Sequence, residues 1–309
     1  IKIGESSGAT GCDFHLEGLS AIFPSGQNQS GDLRFHDGQN ELNFWVENVT
    51  GTSPNRIAYV WVKIPSLSAN QTKTLYCYFG NPNATNASNG VNTFQFFDDF
   101  ESYADGSDIN NQGGWRTIRV GGTGEAKVRL VNGRNHLHLV STLYVTSVDH
   151  LMSISNAGYA MRIYEFADDW DDALFMDFTD GTYDSGGGIN NGYEAIWTGG
   201  GGTVSQIRKR VNNAITVLAS ISDSDANNVY HILEFTWLGS SLKAFRDNEL
   251  KMSATDTTFS SRTYIYLGTW QGTSRYIDWV LVRKYVSPEP AFSSAGSLEK
   301  RSSIIPLIL

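Results

Sequence analysis

The chain of 309 residues is poor in cysteine, with two, in proline, with seven, and in methionine, with four. Two cysteines allow one disulfide at most, which excludes a scaffold held by several bridges. Charge is sparse at 18% and leans acidic, with 23 Lys and Arg against 32 Asp and Glu, a net charge of -9. That balance argues against a general affinity for nucleic acid. No apolar run approaches the roughly 20 residues a membrane-spanning helix needs, and no stretch carries a convincing helical period. A starting methionine is absent as well, so residues ahead of Ile1 are expected to have been removed or never included.

Glycine is plentiful, at 31 residues, while hydrophobic residues reach 40% and aromatic ones 12%. This suits a folded protein of many short strands joined by tight turns, so all-β is the expected class. The length points to two domains. Residues 81–106 mark the handover, beginning as Asn- and Pro-containing linker and switching at Phe94 into the aromatic and acidic run Phe96-Phe97-Asp98-Asp99-Phe100. The expected division is a small β-sandwich over 1–92, a larger domain over 93–288, and a linker with an apolar tail over 289–309.

In the first domain, residues 32–36, a turn at 37–40 and the returning run 42–48 read as a hairpin. Further strands are expected at 1–4, 14–19, 57–64 and 73–79, which together make a β-sandwich. Cys12 and Cys77 either bridge in an oxidising compartment or stay as two buried thiols, and spacing does not decide between these. Asn28, Asn48, Asn70, Asn83 and Asn86 head N-x-Ser/Thr sequons, all before Phe94. A glycan coat is therefore expected on the first domain and none on the second. The segments GDLRF at 31–35, NFWVE at 43–47, VWVKIP at 60–65 and LYCYFGNP at 75–82 resemble, in order, the signatures of a prokaryotic extracellular domain family of unknown function. The resemblance implies a bacterial or archaeal surface location beside a concanavalin A-like domain, and no chemistry. Members of that family usually carry a further stretch ahead of the first strand, so an open sheet edge is expected here.

The second domain reads as strands at 115–120, 126–131, 136–140, 160–166, 173–178, 193–198, 206–211, 215–221, 230–237, 242–246, 263–268 and 276–286. So many strands suggest a two-sheet jelly roll. FDDFE at 97–101, LKAFRDNEL at 242–250 and IDWVLVRKY at 277–285 resemble the concanavalin A-like (laminin-G-like) lectin and glucanase superfamily over about 93–288. These are scaffold motifs, so the resemblance predicts fold better than function.

Glucanases of that superfamily present Glu-x-Asp-x-x-Glu on one strand face, as a carboxylate pair for glycoside hydrolysis. Glu165-Phe166-Ala167-Asp168-Asp169-Trp170-Asp171-Asp172 departs from that spacing and reads as an acidic loop entered from a strand, so no enzyme is expected. The first and last strands of the superfamily often meet around calcium, which takes six to eight oxygens. Asp98, Asp99 and Asp278 stand in those places, with Glu101 beside them, and a structural Ca2+ is the expected cofactor. The plain alternative is that Asp99 caps a turn and Asp278 bonds to backbone. Trp170, Tyr193, Trp197 and Trp270 lie near loops and are the candidate aromatic platform for a glycan. His136 and His138 share a strand face but lack a third metal ligand, and Arg208-Lys209-Arg210 reads as a solvated strand edge.

The tail Ile304, Ile305, Leu307, Ile308 and Leu309, interrupted by Pro306, carries no charge and is too short to span a membrane. It folds back on its own domain, adds a strand to a neighbour's open edge, or opens a membrane anchor. Head-to-tail strand donation builds a filament. The leading expectation is a non-catalytic extracellular structural or adhesive protein, self-assembling through its termini with itself as partner. The alternative is a monomeric carbohydrate-binding surface module, and a divergent polysaccharide hydrolase or lyase stands third.

Overall fold

The computed structural model describes residues 2–4, 33–50, 57–78, 84–167, 173–198, 204–222, 229–291, 294–295 and 304–308. Cys12, Asn28, Asn83, Trp170, Leu309, the acidic cluster 168–172 and the strand expected at 14–19 lie outside the described residues. The chain divides into two compact units, Ile1–Gln95 joined by Pro288–Leu309, and Phe96–Ser287.

The first unit contains β1 (Lys2–Gly4), β2 (Arg34–His36), β3 (Glu41–Leu42), β4 (Phe44–Thr50), β5 (Ile57–Val62) and β6 (Thr74–Tyr78), then a short helix α1 (Gly90–Thr93). Alternation decides which side chains go inside: in β6, Leu75 and Cys77 are buried while Thr74, Tyr76 and Tyr78 are only partly so. With Leu33, Phe35, Leu42, Phe44, Val46, Ala58 and Val60 they form one core between a sheet β1-β5-β4 and a five-stranded sheet. The C-terminal strands Ser294–Ala295 and Ile304–Ile308 belong to that second sheet. Ile304–Ile308 runs antiparallel along β6, with Ile304 opposite Tyr78 and Ile308 opposite Thr74. Of the three destinations expected for the tail, Ile304–Ile308 takes the return to its own unit, as a neighbour of β6. The sequon residues Asn48, Asn70 and Asn86 are exposed.

The second unit is a sandwich of fifteen further strands: β7 (Phe96–Asp98), β8 (Trp115–Arg119), β9 (Glu125–Val131), β10 (Arg134–Ser141), β11 (Thr146–Ser155), β12 (Tyr159–Ala167), β13 (Ala173–Thr179), β14 (Gly192–Thr198), β15 (Val204–Val211), β16 (Ala214–Ser222), β17 (His231–Leu238), β18 (Ser241–Arg246), β19 (Glu249–Thr255), β20 (Ser261–Thr269) and β21 (Thr273–Lys284). One sheet runs β19-β18-β17-β12-β21-β10-β9, with β7 also on β21, and the other β16-β15-β14-β13-β20-β11-β8. All their pairings are antiparallel. The protein is all-β, two β-sandwiches, the second a jelly roll.

Three hairpins turn on two residues with positive φ: Asn132 and Gly133 (52° and 81°), Asn212 and Asn213 (50° and 66°), and Asp247 and Asn248 (51° and 67°). Short polar side chains and glycine tolerate that conformation, and its twist matches the flanking strands. The core between the sheets is filled by residues including Trp115, Met176, Phe178, Tyr193, Trp197, Phe235, Trp237 and Val280. No helix among the described residues is long and apolar enough to cross a membrane.

Candidate functional site

On the face of the seven-stranded sheet turned away from the core, register builds a cross-strand row. Arg116 stands opposite Asp149, Asp149 opposite Tyr266, Tyr266 opposite Asp177, Asp177 opposite Glu194 and Glu194 opposite Arg208. The period of two produces this, because Met176, Phe178, Tyr193, Ala195, Ile265 and Leu267 fill the core from the other face. A loop, residues 180–191, lies over the row. Its Tyr183 and Ile189 pack with Phe175, Ile196, Tyr266 and Val145 in a small outer cluster.

Polar contacts hold the loop down. The Tyr183 hydroxyl donates to the Asp149 carboxylate, which also receives Nε of Arg116 at 2.8 Å. The Tyr266 hydroxyl donates to the Gly187 carbonyl at 2.7 Å. Asp184 accepts the Gly186 and Gly188 amides at 2.7 and 3.1 Å and faces Arg210 at 3.6 Å. Arg210 in turn donates from Nε to Oε1 of Glu194 at 2.8 Å.

Beneath the loop, both oxygens of Asp177 and Oε2 of Glu194 are buried without a hydrogen-bond partner. Directly opposed residues on one sheet face have Cβ atoms about 4.5–5.5 Å apart, so the two carboxyls are neighbours. Burial, then the Glu194 charge, drives the Asp177 carboxyl well above the ordinary range, against Arg210 and Arg208. Burial raises Glu194 as well, opposed by the same arginines. Two carboxylates cannot both ionise here at low cost, so the pair is set up to hold a proton.

Beside the row, a groove of 520 Å³ opens between β8 and the loop, walled by Asn110, Asn111, Arg116, Arg119, Tyr183 and Asp184 among others. Arg119 donates from Nη1 to the Ser185 carbonyl at 2.6 Å and lies over the Tyr144 ring at 5.0 Å. Gly187, at φ +88°, permits the close approach, since a Cβ there would sit 2.8 Å from Cδ of Arg119.

The sequence candidates fare unevenly. Tyr193 and Trp197 are buried in the core rather than on a platform; Tyr193 donates to Asp256 at 2.7 Å, and Trp197 lies under Arg246. Both sit on β14, at positions whose alternation turns them inward. Trp270 is 47% exposed, edge-on to Phe175. On the outer face of the eight-stranded sheet, His138, Tyr276 and Phe166 stack at 4.0 and 4.7 Å, and Tyr230 stacks on Tyr164 at 4.7 Å.

The first and last strands do meet, with Asp98 opposite Val280. Asp98 is nevertheless taken up by the fold, accepting from the Phe100 amide, the Tyr103 hydroxyl and Nε1 of Trp115 at 2.7–2.8 Å. Asp278 instead pairs with Nε of Arg134 at 3.0 Å, with Glu101 at 3.4 Å from the same atom. Burial pushes the Asp278 carboxyl up to about 7, with Arg134 pulling it down and Glu101 and Asp99 adding to the rise. Of the acids considered for calcium, Asp278 and Glu101 thus share the Arg134 guanidinium. Among the described residues no group of three or more His, Cys, Asp or Glu is placed to hold a metal ion. Arg208 and Arg210, expected on a solvated edge, face buried acids, because β16 lies outside β15. Cys77 is in the core of the first unit.

The sequence family described as "Domain of unknown function (DUF2341)" matches residues 29–118. The match starts later than the resemblance over 1–92 and ends within β8. No curated protein matches the chain. Similar solved structures include the carbohydrate binding module CBM66 from Bacillus subtilis, at 18% identity over 58% of this chain and 100% of that one, TM-score 0.44. The potassium-bound carbohydrate recognition domain of Emp46p is 14% identical over 61% and 96%, TM-score 0.45. The Bacillus licheniformis beta-glucanase is 20% identical over 61% and 97%, TM-score 0.43.

Proposed function

We propose that the protein is a secreted or surface-exposed carbohydrate-binding module whose glycan site is the groove between β8 and the 180–191 loop. The observation that carries this reading is the groove wall itself. Planar polar groups from Asn110, Asn111, Arg119 and Asp184, with the Tyr183 ring, meet in one concavity, and such groups match the paired hydroxyls and ring faces of a sugar. Binding rather than cleavage is favoured because Asp177 and Glu194 are each only 1% exposed beneath the loop. Hydrolysis needs two carboxyls on either side of the scissile bond, and a sugar in the groove does not reach between these two. Donation of the C-terminal strand to a neighbour is not part of this reading, since that strand lies on β6 of its own unit.

The test is a printed array of bacterial and eukaryotic glycans probed with the full chain and with Arg119→Ala. Retention of a glycan class by the native chain, weakened at least tenfold in the variant, is the expected outcome. Equal retention by both moves the site elsewhere, and no retention by either overturns the reading.

A further inference from the structure

A sugar hydroxyl both donates and accepts, whereas a carboxylate only accepts, so the free donors and acceptors of the groove between β8 and the 180–191 loop select between neutral and acidic sugars. Three charged side chains stand in its wall, Arg116, Arg119 and Asp184. Two of them are spent. Arg116 gives Nε and Nη2 to the buried Asp149 carboxylate. Asp184 takes the Gly186 and Gly188 amides on Oδ1 and turns Oδ2 to Arg210.

Arg119 differs. Its Nη1 donates to the Ser185 carbonyl at 2.6 Å, its Nε is enclosed without a partner, and Nη2, which is not enclosed, donates to nothing among the described residues. No acid among them pairs with it. The guanidinium is fixed all the same, for it lies over the Tyr144 ring at 5.0 Å and its stem runs against the Gly187 backbone. A donor held in this way loses little freedom when a ligand arrives. Asn110 supplies another, since its Oδ1 accepts the Thr117 amide at 3.0 Å and leaves Nδ2 available.

The free groups are thus donors, and charge points the same way. With Asp149 and Arg210 behind the wall included, arginines outnumber acids by three to two, on a chain whose net charge is -9. A concave site of one sign concentrates ligands of the other. We infer that the groove takes an acidic glycan, in which the carboxylate of a uronic-acid residue is received by Arg119 while Asn110 donates within the same groove. A hydrogen bond between two ionised groups is roughly twice as strong as a neutral one, and the planar guanidinium suits a planar carboxylate. The inference rests on the glycan reading and names the ligand class of that same site.

The test compares uronic-acid glycans with the same glycans reduced at the carboxyl to neutral sugars, each titrated with the full chain, with Arg119→Gln and with Lys251→Gln. The native chain is expected to bind the acidic form at least tenfold more tightly than the reduced one. Arg119→Gln should lose that preference and bind both forms alike, whereas Lys251→Gln, the same charge change on the other sheet, should keep it. Equal binding of both forms by the native chain, or retention confined to neutral or sulfated glycans, overturns the inference and leaves the glycan reading standing. A preference that survives in Arg119→Gln overturns the assignment to this groove. Retention of no glycan at all removes both readings. Should Arg119→Gln not fold, the comparison of the two forms by the native chain still decides.

Discussion

Asp177, Glu194, Asp278, Asp99 and Glu101 share one property: burial lifts each carboxyl above its ordinary range. The native state therefore holds protons that the unfolded chain has released, and stability falls as pH rises. For Asp278 the loss spans about pH 4, where an unfolded aspartate titrates, to about 7 in the fold. A shift of about three units is worth roughly 4 kcal/mol across that window. Denaturant midpoints at pH 5 and pH 8 should drop for the native chain and drop measurably less for Asp278→Asn. Asp177→Asn should likewise stabilise at pH 8, since an amide gives Glu194 a donor without a second charge. Trp197→Ala should cost about 3–5 kcal/mol as a core cavity and leave glycan retention by the folded fraction intact. Distinguishing Trp197 from Trp270 was within reach of the sequence, because β14 alternates and its odd positions, Tyr193, Ala195 and Trp197, form one face. Pairing Asp177 with Glu194 was not, since it requires knowing which strands are neighbours and in what register.

Among the elements, strands with plain alternation or terminal turns were legible, β6 and β13 to β15 among them. β11 was not, for its polar run Ser147, Asp149 and His150 and its irregularity between Leu151 and Ile154 break the period of two. The charged triplet in β15 misled for a related reason: basic residues are commonest on edges, but here a further strand lies beyond. The 180–191 loop contains Gly181, Gly186, Gly187 and Gly188, which mark a loop and no more, and its clamping by Tyr183, Tyr266 and Asp184 depends on partners far along the chain. Gly187 carries a test at this scale. Gly187→Ala forces a side chain into a left-handed position and onto Arg119, which should cost about 1–2 kcal/mol. Glycan retention should weaken with it, read on the same array.

For the whole molecule, composition and turn chemistry sufficed for an all-β chain of two sandwiches, because they report local preference. The return of residues 304–308 to the first unit is a long-range choice, and hydrophobicity alone left three destinations open. Removing residues 303–309 should expose the β6 edge, and hydrogen exchange should show amides of β6 losing protection while those of β12 and β21 keep theirs. This closure also fixes how the chain carries mechanical load. β1 and the Ile304–Ile308 strand both belong to the first unit, with Phe96–Ser287 inserted between them in sequence. Tension applied through those two strands is borne by the ladders to β5 and β6, and the jelly roll stays off the force path until they rupture. Pulled in a single-molecule experiment, the small sandwich acts as a mechanical fuse, and the larger one extends only after it has blown.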